Sequence, residues 1–215
     1  MARISALDAS SSTITGGVIT ATYAAATPVG ATLFAFCMAN NPITPPSGWT
    51  LISDSTFNAS GRNLHMFAKQ SLGSETTVPV TVTGATVGRL FVTGFSAIKS
   101  GPTLATAMHG EVSLDNQAGA TVKSTGFGPY VSTPWTLIGA IGWAAATSAP
   151  NAGSAGQTVI YNNDQMCVAE WEGRLDGGGI GIGFDWEWTT ARTHGTTTCY
   201  WVRPNTHLLG LGVGS

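Results

Sequence analysis

Between positions 170 and 187 the chain carries five carboxylates: Glu170, Glu172, Asp176, Asp185 and Glu187. Side chains alternate faces along a strand, so Glu170 and Glu172 share one face of their segment and Asp185 and Glu187 share one face of theirs. If the two segments pair as a hairpin around residues 175–178, four carboxylates gather on one surface. Two carboxylates roughly 5–9 Å apart are the machinery of a glycoside hydrolase. A carboxylate cluster also suits a hard cation such as calcium, with Glu170, Glu172, Asp185 and Glu187 as candidate ligands. A solvated strand face shows the same pattern, with Arg174, Arg192 and Arg203 near in sequence to neutralise it. All three readings stay open on the sequence.

No other constellation of reactive residues stands out. His65, His109, His194 and His207 are dispersed, without the close pairing of a zinc site. There is no Gly-x-Ser-x-Gly motif. The glycine run "DGGGIGIG" lacks the third glycine of a dinucleotide loop and precedes no helix, so it reads as a glycine-rich strand. Cys37, Cys167 and Cys199 are odd in number, far apart and set in apolar runs, which points to buried free thiols. No residue is assigned a catalytic role, and neither cofactor nor metal is expected. Exposed aromatic side chains could instead stack on a glycan, and Tyr130, Trp135 and Trp143 are the candidates.

The elements that would position these residues are strands. Apolar residues at helical spacing are always interrupted by glycine, proline or β-branched runs. Strand patterns bounded by glycine, proline, asparagine and serine recur at 18–25, 31–39, 50–54, 63–70, 76–83, 89–98 and 103–109. They continue at 121–125, 136–143, 157–161, 165–172, 179–188 and 197–203. The short connections leave no room for crossover helices, which predicts antiparallel pairing in an all-β, two-sheet sandwich of jelly-roll type with about 12–13 strands. A single domain is expected over 1–215, with 1–13 as a flexible N-terminal arm and 208–215 as a flexible tail. The halves look related: "PVGATLFAFCMANNPITPPSGWTLI" and "PWTLIGAIGWAAATSAPNAGSAGQTVI" each give an apolar strand, a small-residue loop and a short strand, followed by longer strands.

Charged residues make up 9% of the chain, against about 25% in an ordinary soluble domain. Net charge is −2 and there is no basic block, so the electrostatic drive for nucleic-acid binding is missing. A monomer with so little charge resists self-association poorly, which points to a subunit packed against neighbours. The N-terminus "MARISALDASSS" has no apolar stretch of the length of a signal peptide's core, and apolar runs such as 31–39 and 137–146 reach about half of a membrane span, so neither secretion nor membrane insertion is expected.

The stretch "TPPSGWT" at 44–50 puts a tryptophan directly behind a rigid turn. Trp49 reads as an anchor that ties the turn to the core. Alternation in 179–188 likewise places Trp186 and Trp188 on an apolar face with Ile180, Ile182 and Phe184, making them structural anchors of a sandwich core.

"PPSGWTLI" followed by "NLHMFAKQSLGSETTVPVTV" resembles a pattern found among tailed-bacteriophage virion proteins. The matching residues are Pro46, Gly48, Trp49, Leu64, Phe67, Lys69, Glu75 and the stretch 78–82, and the likeness covers about residues 30–98. It implies a minor tail, tail-fibre-associated or head-decoration protein, made in the host cytoplasm and built into the virion, with the tail favoured over the head. It also implies a homo-oligomer, with a trimer favoured, docked on other virion proteins and able to touch host surface glycan. The motif marks a fold and carries over no catalytic residue. The rival from another class is a polysaccharide hydrolase using Glu170/Glu172 with Asp185/Glu187.

Overall fold

The computed structural model describes residues 3–57, 61–96, 109–123, 134–144, 150–152, 157–174 and 184–202. Among these residues there are fourteen strands, one 3-10 turn at Ser5–Leu7 and no α-helix. All pairings are antiparallel, as the short connections require.

The first half builds a five-stranded sheet from β1 (Ala9–Ser11), β4 (Thr32–Ala39), β5 (Thr50–Phe57), β6 (Arg62–Gln70) and β8 (Gly88–Phe95), in the order β1-β8-β4-β6-β5. A small sheet of β2 (Ile14–Thr15), β3 (Val18–Thr22) and β7 (Thr77–Thr81) covers one face of it. The second half supplies β9 (His109–Lys123), β10 (Pro134–Trp143), β11 (Asn151–Ala152), β12 (Gln157–Asn162), β13 (Met166–Arg174) and β14 (Asp185–Val202). Their order is β11-β14-β10-β13-β12, with β9 also paired to β14.

Burial patterns follow from these layers. Every residue of β4 is buried, because β4 is covered on both faces. Phe34, Phe36 and Met38 enter the core shared with the second half, where they join Ile138, Ala140, Met166, Val168 and Cys199. Leu33, Ala35, Cys37 and Ala39 enter the opposite core beneath the small sheet, with Ile19, Val78, Val80 and Val82. A strand buried on both sides reads as an unbroken apolar run, which is what "TLFAFCMA" is. In contrast, β7 has only one covered face and strictly alternates. Its Pro79 points outward on an edge strand, where the missing N–H removes no ladder bond needed by a central strand.

The two large sheets share one topology. β1-β8-β4-β6-β5 corresponds strand for strand to β9-β14-β10-β13-β12. Registers correspond as well: Ala35 lies opposite Phe67 and Val92, and Gly139 opposite Ala169 and Thr198. Each edge strand carries a bulge at the matching place, between Leu51 and Ser53 in β5 and between Val159 and Tyr161 in β12. The correspondence reaches the outer layer. Val18 pairs with Thr81, which also bridges Thr44; Thr121 pairs with Glu187, which also pairs with Asn151.

The expected all-β sandwich is therefore the fold, extended by a third small sheet on the first half. Residues 179–183 lie outside the described residues, and the described parts of the segments read as separate strands at 179–188 and 197–203 fall on or next to one strand, β14. Its register shifts between Glu187 and Arg192 and again between His194 and Thr196, where it changes partners. The N-terminal segment expected as a free arm is docked. Ile4 N–H donates to Gly94 O at 2.7 Å, Leu7 is buried in the small-sheet core, and β1 pairs with β8. Residues 208–215 lie outside the described residues.

Glycine makes the close approach of the two large sheets possible at one point. A Cβ on Gly195 would sit 2.5 Å from both Phe57 and Ser55, so this position of β14 accepts no side chain while Phe57 fills the shared core.

Candidate functional site

The residues of "TPPSGWT" and of the following lysine step come together in space. Trp49 N–H donates to Pro46 O at 3.2 Å across the turn, and Gly48 takes φ +79°, a conformation that glycine alone enters without strain. Just before the turn, Thr44 exchanges two backbone bonds with Thr81 of β7, at 2.9 and 3.3 Å. The indole of Trp49 is half-buried and packs on the core beneath the small sheet, so it ties its loop to that core. Leu51, two residues on, stays exposed, because the bulge at Ile52 re-aims the start of β5.

Lys69 runs beneath this turn: its Cε lies 3.9 Å from where a Cβ on Gly48 would be. Its ammonium pairs with Glu75 at 2.9 Å. Glu75 closes the 71–75 turn by itself. Its carboxylate accepts from Leu72 N–H at 3.0 Å, from Gly73 N–H at 3.2 Å and from Ser74 N–H at 3.3 Å. The hydroxyls of Thr27 and Ser71 each lie 2.8 Å from its Oε2 and 2.6 Å from one another. Burial pushes the Glu75 carboxyl upward. The bonds from Leu72 N–H, Lys69, Thr27 and Ser71 outweigh that and hold it well below the usual carboxylate range. A carboxylate surrounded by donors in this way is an acceptor for a loop, with no lone pair directed at a substrate.

The four carboxylates Glu170, Glu172, Asp185 and Glu187 do not assemble as the hairpin reading expects. β13 pairs with β10 and β12, and β10 separates it from β14. The β14 residues in line with Glu170 and Glu172 across β10 are Cys199 and Trp201. Glu187 lies a dozen residues back along β14, roughly 40 Å of strand contour at ~3.3 Å per residue. Glu187 is exposed and paired in register with Thr121 and Asn151, while Asp185 pairs in register with Lys123. Glu172 sits opposite Thr136, and Asp176 lies outside the described residues. Glu170 is no member of a solvated face, because both faces of β13 are covered: Met166 and Val168 enter the shared core, Cys167 and Ala169 the second half's own. Its carboxylate is 16% exposed and takes the Arg3 guanidinium at 3.0 Å, while Arg3 also pairs with Asp8. Among the described side chains, an ion-pair partner of Glu170 thus comes from the far end of the chain.

The aromatic candidates divide. Trp143 is fully buried in the second half's core with Phe184 and Trp186, so it offers no face to a glycan. Trp135 lies in β10 opposite Gly173 and Val202, and Tyr130 lies outside the described residues. Trp186 is the anchor its strand alternation requires; Trp188 is placed in β14 by its backbone.

Cys37, Cys167 and Cys199 are buried free thiols. Burial pushes the Cys167 thiol up to about 12 and raises the other two further, so none supplies a thiolate nucleophile. Among the described residues no group of three His, Cys, Asp or Glu side chains could hold a metal ion.

One feature leaves almost no signal in the sequence. Ser10, Ser11, Ser12 and Thr13, where the chain leaves β1, line a polar cleft with Tyr161 and Asn163 at the β12 end. The two segments are about 150 positions apart, and only the serine run "ASSST" hints at anything unusual there.

No known protein family, curated protein sequence or solved structure matches the chain.

Proposed function

We propose that the chain is a structural protein of a tailed-bacteriophage virion: a minor tail protein forming a homo-oligomeric docking module whose loops contact other virion proteins and the host surface. The observation that carries this reading is the convergence of Pro46, Gly48, Trp49, Lys69 and Glu75 into one mechanical fixture. These five are among the residues on which the resemblance to virion proteins rests. Each is spent on holding a turn: the indole on core packing, the lysine on the glutamate, and the glutamate on the lysine and on backbone N–H groups.

Charge supports the same reading. With 9% charged residues the surface suits wide uncharged contacts with permanent neighbours better than a solitary life in solution. The hydrolase reading loses the gathered carboxylates that motivated it, since β10 stands between the two pairs.

Light scattering on the purified chain is expected to give an integer multiple of the chain mass, three for the favoured trimer. Immunogold labelling of tailed particles that carry the chain is expected to mark the tail. A strict monomer at all concentrations together with unlabelled particles overturns the proposal. Label confined to the head reassigns the chain to capsid decoration.

A further inference from the structure

The matched halves meet at two junctions that correspond to one another, and the two are built differently. At one, β9 lies against β5, whose Ser53 and Ser55 are 4% and 1% exposed. The registers make Ser53 the counterpart of Tyr161, since each follows its bulge and faces the matching residue of the next strand, Met66 or Val168. At the other junction β1 stops at Ser11 and the chain turns off into the small sheet. Tyr161 and Asn163 are left lining an open cleft of about 310 Å³ with Ser10, Ser11, Ser12 and Thr13.

We infer that this cleft is a binding site for a neutral saccharide. Its lining is four aliphatic hydroxyls, a phenol and a carboxamide, groups that both donate and accept hydrogen bonds, as sugar hydroxyls do. Among the described residues no charged side chain lines it. A nearby cation, Arg89, is committed: its Nε donates to Asn163 Oδ1 at 2.8 Å and to Asp164 Oδ1 at 2.9 Å, its Nη2 donates to Asp164 Oδ1 at 2.7 Å, and its Nη1 donates to Gly88 O at 2.7 Å. An anionic ligand finds no free partner in this set, and an apolar one would strand the hydroxyls. The volume falls at the small end of the roughly 300–1,000 Å³ range of ligand clefts, room for one or two sugar rings.

The site is also rigid. The Tyr161 ring stacks on Phe91 at 4.8 Å and 18°, and Phe91 belongs to the core shared by both halves. Ser10 sits on β1 directly opposite Phe91 in the β8 ladder. Asn163 Oδ1 further accepts from Asp164 N–H at 2.6 Å, and Asn163 N–H donates to Met166 O at 3.0 Å. Groups fixed in advance lose little freedom when a ligand arrives, which is what a small polar site needs to bind measurably.

The inference deepens the docking role by giving it a ligand class; only the source of the saccharide, a host-surface glycan, rests on that role. Saturation-transfer NMR with chitotriose, maltotriose and isomaltotriose tests the cleft on the purified chain, whatever its oligomeric state. At least one of the three is expected to show transfer with a Kd below about 1 mM, a weak-ligand affinity. Ser12→Trp, an exposed position whose indole would fill the cleft without entering a core, is expected to abolish the transfer. Asn163→Ala is expected to weaken it about tenfold. Absence of transfer from all three sugars at ~10 mM, well above that limit, overturns the inference, as does undiminished binding by Ser12→Trp. Tail labelling without sugar binding removes the cleft and leaves the virion role, while sugar binding without particle labelling does the reverse.

Discussion

The first half reaches its outer layer through separate short strands, whereas the second half runs on without a break. β1 and β3, and likewise β7 and β8, are distinct strands joined by turns; their counterparts are continuous within β9 and β14. The cores differ in parallel. Beneath the small sheet the first half packs many medium side chains, among them Ile19, Val78, Val80, Val82, Leu33 and Val92. The second half fills its own core with Trp143, Phe184 and Trp186. At one matched register position the first half has Val80 and the second has Trp186. The same topology thus tolerates two ways of filling volume, because pairing depends on which residues face inward and packing adapts to their size.

That contrast can be broken most directly at its matched position. Trp186→Ala is expected to cost about 3–5 kcal/mol, as truncating a fully buried aromatic does. Val80→Ala at the corresponding site is expected to cost about 1.5–3 kcal/mol. Urea denaturation of both variants measures the difference, and equal losses would mean that the second core does not rely on its large rings.

The contact between the halves gives the next largest effect. Gly195→Ala forces a Cβ against Phe57 and Ser55, and overpacking of this kind is expected to cost about 1–3 kcal/mol. Phe57→Leu in the same background should recover part of the loss by making room. Additive losses in the double variant would show that the strain lies elsewhere.

The smallest effect sharpens the first half's side of the comparison, at the turn that leads β6 into β7. Glu75→Gln keeps the shape but removes the charge that Lys69 and three backbone N–H groups face, an expected loss of about 1–2 kcal/mol near neutral pH. The folded carboxyl ionises at lower pH than the unfolded one, whose value is ~4.3. Its contribution is therefore complete above that value and is lost as pH falls toward the folded one. Wild-type melting temperatures should drop more steeply than those of Glu75→Gln below about pH 4.5, and parallel curves would remove Glu75 from its assigned place.

Much of this was legible in advance where the information is local. Alternation along "TVPVT" states that one face is wet, and the unbroken run "TLFAFCMA" belongs to a strand covered twice. Proline, glycine and tryptophan in "TPPSGWT" describe a rigid turn with an anchor. The kinship of the halves showed in the succession of strand types although few residues coincide. The acidic cluster misled because side-chain alternation reports the face of a strand and is silent about its neighbour. Placing β13 beside β10, with β14 beyond, separated carboxylates that lie close in sequence.

By itself, then, the chain's order of residues determined strand or turn, inward or outward, and the scarcity of charge. Each follows from the stereochemistry and solvation of a few consecutive residues. Only the tertiary structure decided that Arg3 neutralises Glu170, that β14 serves two layers, and that Ser10 meets Tyr161 across a cleft. Those partners are some 150 positions apart, or lie on strands whose choice of neighbour depends on the closing of the whole core, and no local pattern encodes that choice.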